Sequence, residues 1–492
     1  MSLLTILLTS IFVFSDPHLL LQSEATGDYS QDQRLIEHSQ ELFDSIIAVI
    51  NAENPNIVLL PGDLTNNGEP TAHAYVSAKL LALKNAGKQV YVVPGNHDIH
   101  SYFNHDQWLS SYGAFGFQNA VLADSAALNY MVFPTGTNLA LIGVNTTEEN
   151  DSTTHSQGGI TREDLSWIAS AAQLAQDSNR HPILMVHHPL VTHYTGQATY
   201  APTYLANTDS TLYPALDSVQ NVLREAGIMV CFSGHHHIHS IKYATTDNGD
   251  FYDITTGSTS SFASQYRLLN YDNATATLSG TTDSIAKYWA LEQQRNQAMA
   301  EGMLQRYAAI AYAVIDSIKS DATYSQFLSY FNLPNSVEET YAGLKKYALV
   351  PCSNVLNDLC RGNEHTYVPE QRINAVHDSI TSYATLIFNL DGIGAIPYIG
   401  TKAREAAKAL MDKLLKEKIF TRIDPILESI EYNKVGTYPV VDDRTFSIIL
   451  PAIHKTAVAE NKAGKMTTKS LQNGHLVIQR GGKLYSVTGA AL

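Results

Sequence analysis

Five apolar runs in the first part of the chain each lead into aspartate, asparagine or histidine. Leu3–Phe14 runs into Asp16, Pro17 and His18, and Ile57–Leu60 into Gly62 and Asp63. Val90–Val93 runs into Gly95, Asn96, His97 and Asp98. Ile183–Val186 runs into His187, His188 and Pro189, and Ile228–Phe232 into Gly234, His235, His236 and His237. Short apolar runs bounded by turn residues read as strands buried on both faces, and Leu139–Val144 is a further one. Amphipathic stretches lie between them: Gln33–Ile50, Thr71–Ala86, Thr161–Ala175 and Leu216–Ala226. This alternation predicts an α/β fold with helices covering the sheet faces. Ser240–Ala244, Phe251–Thr256 and Thr275–Gly280 read as antiparallel edge strands. Two mixed β-sheets packed as a sandwich with flanking helices would accommodate them. Ligands of such sheets bind in the crevice beyond the carboxyl ends of the strands. The five strand ends are therefore expected to converge.

Asp16 and His18 are two residues apart, so in extended chain they face one side; His235 and His237 repeat the spacing. The same pleat turns His236 away. Glycines before Asp63, Asn96 and His235 allow sharp turns and close backbone approach. The donors are carboxylates, imidazoles and an amide, with no thiolate, which suits Mn²⁺, Fe or Zn²⁺. Asp16, His18, Asp63, Asn96, His187, His235 and His237 are too many for one ion. Sharing one carboxylate would give each of two ions four protein ligands. In His187-His188 the residue types leave either imidazole open as the ligand. Two ions about 3.5–4 Å apart clamp the attacking and leaving oxygens of a phosphoryl displacement.

The series DPH, GDLTNNG, GNHD, HHP and GHHH resembles the calcineurin-like metallophosphoesterase superfamily. That family's order is D-x-H, G-D, G-N-H-[D/E], H and G-H-x-H, and the likeness covers roughly residues 10–260. The longer match, GDLTNNGEPTAHAY through VYVVPGNHDIH, resembles the cyclic-nucleotide and glycerophosphodiester phosphodiesterase branch. The resemblance implies one metal on Asp16, His18, Asp63 and His237. It implies a second on Asp63, Asn96, His187 and His235, with Asp63 bridging; the family pattern H-x-P selects His187. It implies hydrolysis of a phosphoester, a phosphodiester in preference, by in-line attack of a metal-bridging hydroxide. His97 would protonate the leaving group or steady the phosphoryl oxygens, and Asp98 would orient His97. Two rival readings stand beside it: a phosphomonoesterase acting on small phosphorylated metabolites, and a catalytically silent binding domain.

The formal net charge is −15 and there is no Lys/Arg-rich tract. Nucleic acid is therefore a poor partner, and a small phosphoester substrate is expected. No apolar run reaches membrane-spanning length. Leu3–Phe14 has the length of a signal-peptide apolar region, but it leads straight into Asp16 and is read as a buried first strand. The 32 Lys and Arg and the 27 Tyr suit an exported protein, with any signal preceding this sequence. Three cysteines make no disulfide framework. Cys352 and Cys360 are expected either to pair in an oxidising compartment or to stay thiols, and Cys231 to be buried. Leu190–Tyr213 is long for a loop and carries four tyrosines, so it is expected to form the substrate rim. Tyr194, His155 and Arg267 are candidate substrate residues, Arg267 as a partner for a phosphate oxygen. His38, His73, His181, His377 and His454 are expected to be packed or surface side chains.

Three regions are expected: a metallophosphoesterase catalytic domain over 1–280, a mainly helical domain over 281–435, and an extension over 436–492. Asp283–Ser320, Pro369–Leu390, Thr401–Phe420 and Ile426–Asn433 have helical spacing. Leu476–Ile478 and Leu484–Val487 read as a hairpin across Gly481-Gly482. The glycines from Gly392 to Gly400 fit no phosphate-loop pattern. Ile393–Ile399 is read as a helix–helix connection in preference to a membrane contact.

Overall fold

The computed structural model describes residues 8–30, 32–99, 103–147, 156–194, 197–200, 202–322, 328–361, 369–398, 400–421, 424, 444–453, 467–472, 475–480 and 483–485. In chain order the strands of the first half are β1 (Leu8–Val13), β2 (Ile57–Leu60), β3 (Gln89–Val92), β4 (Leu122–Asp124), β5 (Asn129–Val132) and β6 (Leu139–Gly143). They continue with β7 (His181–Met185), β8 (Val230–Ser233), β9 (Ser240–Thr246), β10 (Gly249–Thr255), β11 (Gln265–Asp272) and β12 (Thr277–Ser284). Near the C-terminus come β13 (Phe446–Ile449), β14 (Thr467–Gln472), β15 (His475–Arg480) and β16 (Lys483–Tyr485). One six-stranded sheet runs β13-β12-β11-β1-β2-β3 and a seven-stranded sheet runs β4-β5-β6-β7-β8-β10-β9. A separate three-stranded sheet, β14-β15-β16, ends the chain. The turn expected at Gly481-Gly482 lies outside the described residues, as do Leu3–Leu7, Ile426–Asn433 and His454.

Side chains alternate faces along each strand. In β1, Ile11 and Val13 point between the two sheets, while Phe12 and Phe14 point to the helices outside. In β2, Ile57 and Leu59 face the other sheet, and Val58 and Leu60 the helices. Each strand is covered on both faces, which is why it reads as a continuous apolar run. Burying each such side chain contributes roughly 1.5–3 kcal/mol.

The helices are α1 (Ser39–Glu53), α2 (Pro70–Asn85), α3 (His105–Tyr112), α4 (Arg162–Asp177), α5 (Gln197–Tyr200) and α6 (Leu216–Glu225). In α1, Leu42, Phe43, Ile46 and Ile50 form the buried stripe, and Asn54 ends the helix in a left-handed conformation. Pro70 stands at the start of α2, where its missing N–H costs nothing. Thr161 and Asp164 cap α4 reciprocally.

Three expectations are corrected. β10 is no edge strand: it lies parallel to β8 and antiparallel to β9. β12 is also interior, because β13 pairs with it, Thr277 opposite Ile449. The first sheet therefore extends past residue 280 and takes in a strand from the C-terminal extension, so neither boundary at 280 nor that at 436 is a clean division. Of the two alternatives expected for Cys352 and Cys360, the structure has the unpaired thiols. They sit eight residues apart on one helix, a rise of about 12 Å, which no disulfide spans.

The helical region consists of α7 (Trp289–Ser320), α8 (Val337–Arg361), α9 (Pro369–Ile387), α10 (Leu390–Gly394) and α11 (Gly400–Leu414). A π-helical stretch, Leu415–Phe420, prolongs α11. Ile393 is buried in the core of this bundle, so α10 is a packed connection. Between α7, α8, α9 and α11 lies an apolar cavity of about 210 Å³. The cavity is partly open to solvent, with Ile310 and Lys418 exposed on its lining. No described helix is long and apolar enough to cross a membrane.

The bundle touches the sandwich where Phe262, Ala263, Trp289 and Cys360 pack together. Polar bonds flank this contact. Gln33 Nε2 donates to Asn296 Oδ1, Arg295 pairs with Glu37, and His239 N donates to the Cys360 carbonyl.

Candidate metal centre

The seven expected donors come together beyond the strand ends. Asp16 and His18 follow β1, Asp63 follows β2, Asn96 follows β3, His187 follows β7, and His235 and His237 follow β8. Five of them, Asp16, His18, Asp63, His235 and His237, adopt left-handed backbone conformations with φ between 41° and 65°. Such conformations cost about 1–3 kcal/mol each in residues other than glycine, and they persist where the surroundings fix them at working sites. Close approach explains Gly95: a Cβ there would stand 2.2 Å from the Asp63 carboxylate.

The ligand atoms fall into two groups that share Asp63. Asp16, His18, Asp63 and His237 offer atoms within 4.8 Å of one another, and so do Asp63, His187 and His235. Asp63 Oδ2 stands between them, 3.4 Å from His18 Nε2 and 3.3 Å from His187 Nε2. His18 Nε2 and His237 Nε2 are 2.9 Å apart, and His237 Nε2 is 3.6 Å from Asp16 Oδ1. Asn96 Oδ1 lies 3.1 Å from His187 Nε2, and His235 Nδ1 lies 3.2 Å from it.

Outer contacts fix which nitrogen faces inward. His187 Nδ1 bonds the Pro61 carbonyl at 2.8 Å, leaving Nε2 for the cluster. His235 Nε2 bonds the Thr203 carbonyl at 2.8 Å, leaving Nδ1. His188 is turned elsewhere, with Nδ1 2.8 Å from Thr146 Oγ1. His236 stacks on Tyr204, with ring centroids 5.1 Å apart, and lies 5.3 Å from Tyr194.

Charges fit a cation. Burial, with the Arg34 charge next, holds His18 well below the usual imidazole range and His237 near 3. Burial, with His187 next, likewise takes His235 to about 3. Burial pushes Asp16 up to about 7, and its Oδ2 is buried without a hydrogen-bond partner. Burial opposes ionisation of Asp63 too, but His187, His97 and His18 hold it well below the usual carboxylate range. Burial acts to lower His187, yet Asp63 and Asp16 raise it to about 9. Asp16 Oδ1 accepts from His235 N at 2.8 Å, and a buried Oδ2 with no partner beside His18 and His237, both held neutral, is costly unless positive charge is supplied. The donor set suits two borderline divalent ions.

The remaining expected residues divide. His97 sits over the cluster, its ring 4.7 Å from that of His18, with Nδ1 against the Asn66 carbonyl. Asp98 does not orient it. Instead the Asp98 carboxylate accepts from Gly95 N at 2.8 Å and Thr65 N at 3.0 Å, binding two ligand loops together. Burial, with the Asp63 charge, raises Asp98 to about 7. Arg267 is no substrate partner: it is fully buried in β11, where Nη2 donates to the Thr255 carbonyl at 2.7 Å. The same Nη2 stands 3.4 Å from the Ser240 carbonyl. Tyr194 packs against His236, with ring centroids 5.3 Å apart. His155 lies outside the described residues. His73, expected as a packed side chain, is buried with Nδ1 2.8 Å from Tyr112 Oη.

One group beside the cluster carries no signal in the sequence. Arg34 Nη1 is 3.1 Å from His18 Nδ1. Asp32 grips the same guanidinium from behind, at 3.0 Å to Nε and 2.7 Å to Nη2. Arg34 lies 16 residues after His18, at the start of the amphipathic stretch Gln33–Ile50, where nothing marks it as a neighbour of the cluster. Asn66, by contrast, was visible within the GDLTNNG motif.

Among solved structures, a dimetal phosphatase from Danio rerio is similar at 16% identity and a TM-score of 0.41, covering 55% of this chain and 95% of that one. Purple acid phosphatase PPD1 from yellow lupin seeds is similar at 13% identity and a TM-score of 0.38, over 56% of this chain and 51% of that one. GAP50 of Plasmodium is similar at 12% identity and a TM-score of 0.32, over 57% of this chain and 85% of that one. No curated protein matches the chain. The model of one family, calcineurin-like phosphoesterase, matches residues 9–239, the stretch that supplies every donor described above.

Proposed function

We propose that this metal-dependent phosphoester hydrolase cleaves a small phosphodiester. Asp16, His18, Asp63 and His237 hold one metal ion, and Asp63, Asn96, His187 and His235 hold the other. Two such ions lower the pKa of water towards 7 and neutralise charge building on the phosphoryl oxygens. His97 donates its Nδ1 proton to the Asn66 carbonyl, so Nε2 is the atom that exchanges a proton with the leaving oxygen.

Arg34 carries the preference for a diester. It is the cation that stands next to the cluster, and Asp32 already takes up part of its charge. A donor nitrogen must be bare to bind a metal, so with a metal held at His18 Nε2 the ring proton would sit on Nδ1. Nδ1 then repels the Arg34 donor and leaves Nη1 for one phosphoryl oxygen. A monoester dianion calls for more positive charge than this. A diester carries one negative charge, and its second alcohol finds the aromatic rim of Tyr194, Tyr204 and His236.

The test compares bis(p-nitrophenyl) phosphate with p-nitrophenyl phosphate on Mn²⁺-loaded protein, with metal content measured in parallel. Faster turnover of the diester is expected. Turnover of the monoester alone would replace this reading with the phosphatase one. Two bound metals with no turnover of any ester would leave a silent domain.

A further inference from the structure

The cavity of the helical bundle is walled almost wholly by apolar side chains, and it lies apart from the metal centre. Leu304 and Ile315 of α7, Leu344 of α8, Val376 and Ile380 of α9, and Met411 of α11 are among its walls. Its volume is about 210 Å³. An engineered cavity of about 150 Å³ with such walls stays dry and takes up benzene, because water needs two to four polar partners. This space therefore favours apolar matter over water.

Two further features give the cavity a direction. The π-helical stretch Leu415–Phe420 contributes Leu415, Lys418 and Ile419 to its lining. Widened turns of this kind are rare and frequently stand at functional sites. Lys418 is the one charged side chain on the lining, and it is exposed. Among the described residues it makes no ion pair. An apolar chamber with one ammonium group at its edge matches a long chain that ends in an anion.

We propose that this bundle binds one long-chain fatty acid, its chain among α7, α8, α9 and α11 and its carboxylate at Lys418. The inference does not depend on the phosphoesterase reading, because no ligand of the metal centre lines the cavity.

The experiment titrates the full-length protein with cis-parinaric acid, followed by fluorescence, and displaces it with oleate or with oleyl alcohol. One saturable site per chain is expected, emptied by oleate. Ala384→Phe, which fills the space, should weaken binding at least about tenfold while the far-ultraviolet circular dichroism stays native. Ala311→Leu is the milder second filling variant should Ala384→Phe fail to fold. Lys418→Gln should weaken oleate about two- to fivefold, the range of a single exposed ion pair, and leave oleyl alcohol unchanged. Asp63→Asn should bind the probe as the wild type does, which separates this site from the metal centre. Absence of saturable uptake, or wild-type affinity in a folded filling variant, would overturn the proposal. Equal weakening of acid and alcohol by Lys418→Gln would overturn the carboxylate assignment.

Discussion

The sandwich and the helical bundle bury different things. At the strand ends of the sandwich, Asp16, His18, Asp63, His187 and His235 are all buried. Burial opposes the charged form of each of them, a cost that a bound cation would offset. In the bundle the buried side chains are overwhelmingly apolar, and they surround space that no side chain fills. Function shows in both regions as a departure from what packing alone would choose, but the departures are opposite in kind. In one, polar groups stand where apolar ones would be cheaper. In the other, atoms are missing where they would be favourable.

The sharpest way to break this comparison is to remove the bridging carboxylate. Asp63→Asn should lose both metals and at least about a hundredfold in turnover, since even outer partners of a metal site are worth about 10–100-fold. Metal content by mass spectrometry and diester turnover read the two effects. The bundle should be untouched. A shift in the thermal unfolding of the bundle with the metal content would show that the two regions are one energetic unit.

A pH series probes the seam between them. Glu292 of α7 is buried against Ser264, and burial raises its carboxyl to about 8 from an ordinary value of 4.5. Between those values the folded protein keeps a proton that the unfolded chain has lost. The contribution is therefore complete below about pH 4.5 and is lost as pH rises towards 8. Stability should fall by about 1.4 kcal/mol per pH unit in that window. Glu292→Gln should remove this slope, so the gap between variant and wild type in urea denaturation should widen from pH 5 to pH 8. Parallel curves would show that Glu292 is ionised in the folded state.

The two regions also differ in how far the sequence announces them. The donors of the metal centre lie two to five residues past a strand end, so local spacing and the pleat suffice to group them. Contacts between distant segments were not legible. Asp98 is adjacent to His97 in sequence, but its side chain turns back to Gly95 and Thr65. Arg267 looks like any arginine until β11 is found to lie between β1 and β12, with strand-end carbonyls to receive it. The four residues of β13 pair with a strand more than 160 positions earlier, and no local pattern encodes that. Helix α8 is obscured by Pro351 in its interior. The cavity is the extreme case, because it is set by the sum of many side-chain volumes and no single residue signals it.

A smaller effect concerns Arg34. Arg34→Met should raise KM for an anionic diester about tenfold or more, the lower end of what a hydrogen bond to a charged group is worth. Metal content should stay at two per chain, because Arg34 is not a ligand. Loss of metal instead would mean that Arg34 acts by holding His18.

The smallest expected effect asks whether the bundle reaches the metal centre at all. The turn that carries Arg34 is pinned on both sides by α7: Gln33 bonds Asn296, and Glu37 pairs with Arg295. Both bonds are largely sheltered from water, with the Arg295 side chain only 9% exposed. Cutting one of them, by Arg295→Met, leaves the methylene packing largely in place and frees the turn on one side. The guanidinium of Arg34 stays paired with Asp32, so its charge is kept while its position becomes less certain. KM for the diester should then rise about two- to threefold at unchanged kcat, consistent with a pair worth about 0.5 kcal/mol. The double variant Arg34→Met, Arg295→Met should show no further rise, since Arg295 acts only through the turn. An additive effect would mean that α7 influences the substrate by another route. No effect in either background would make the bundle a neighbour of the enzyme, with its cavity serving a separate purpose.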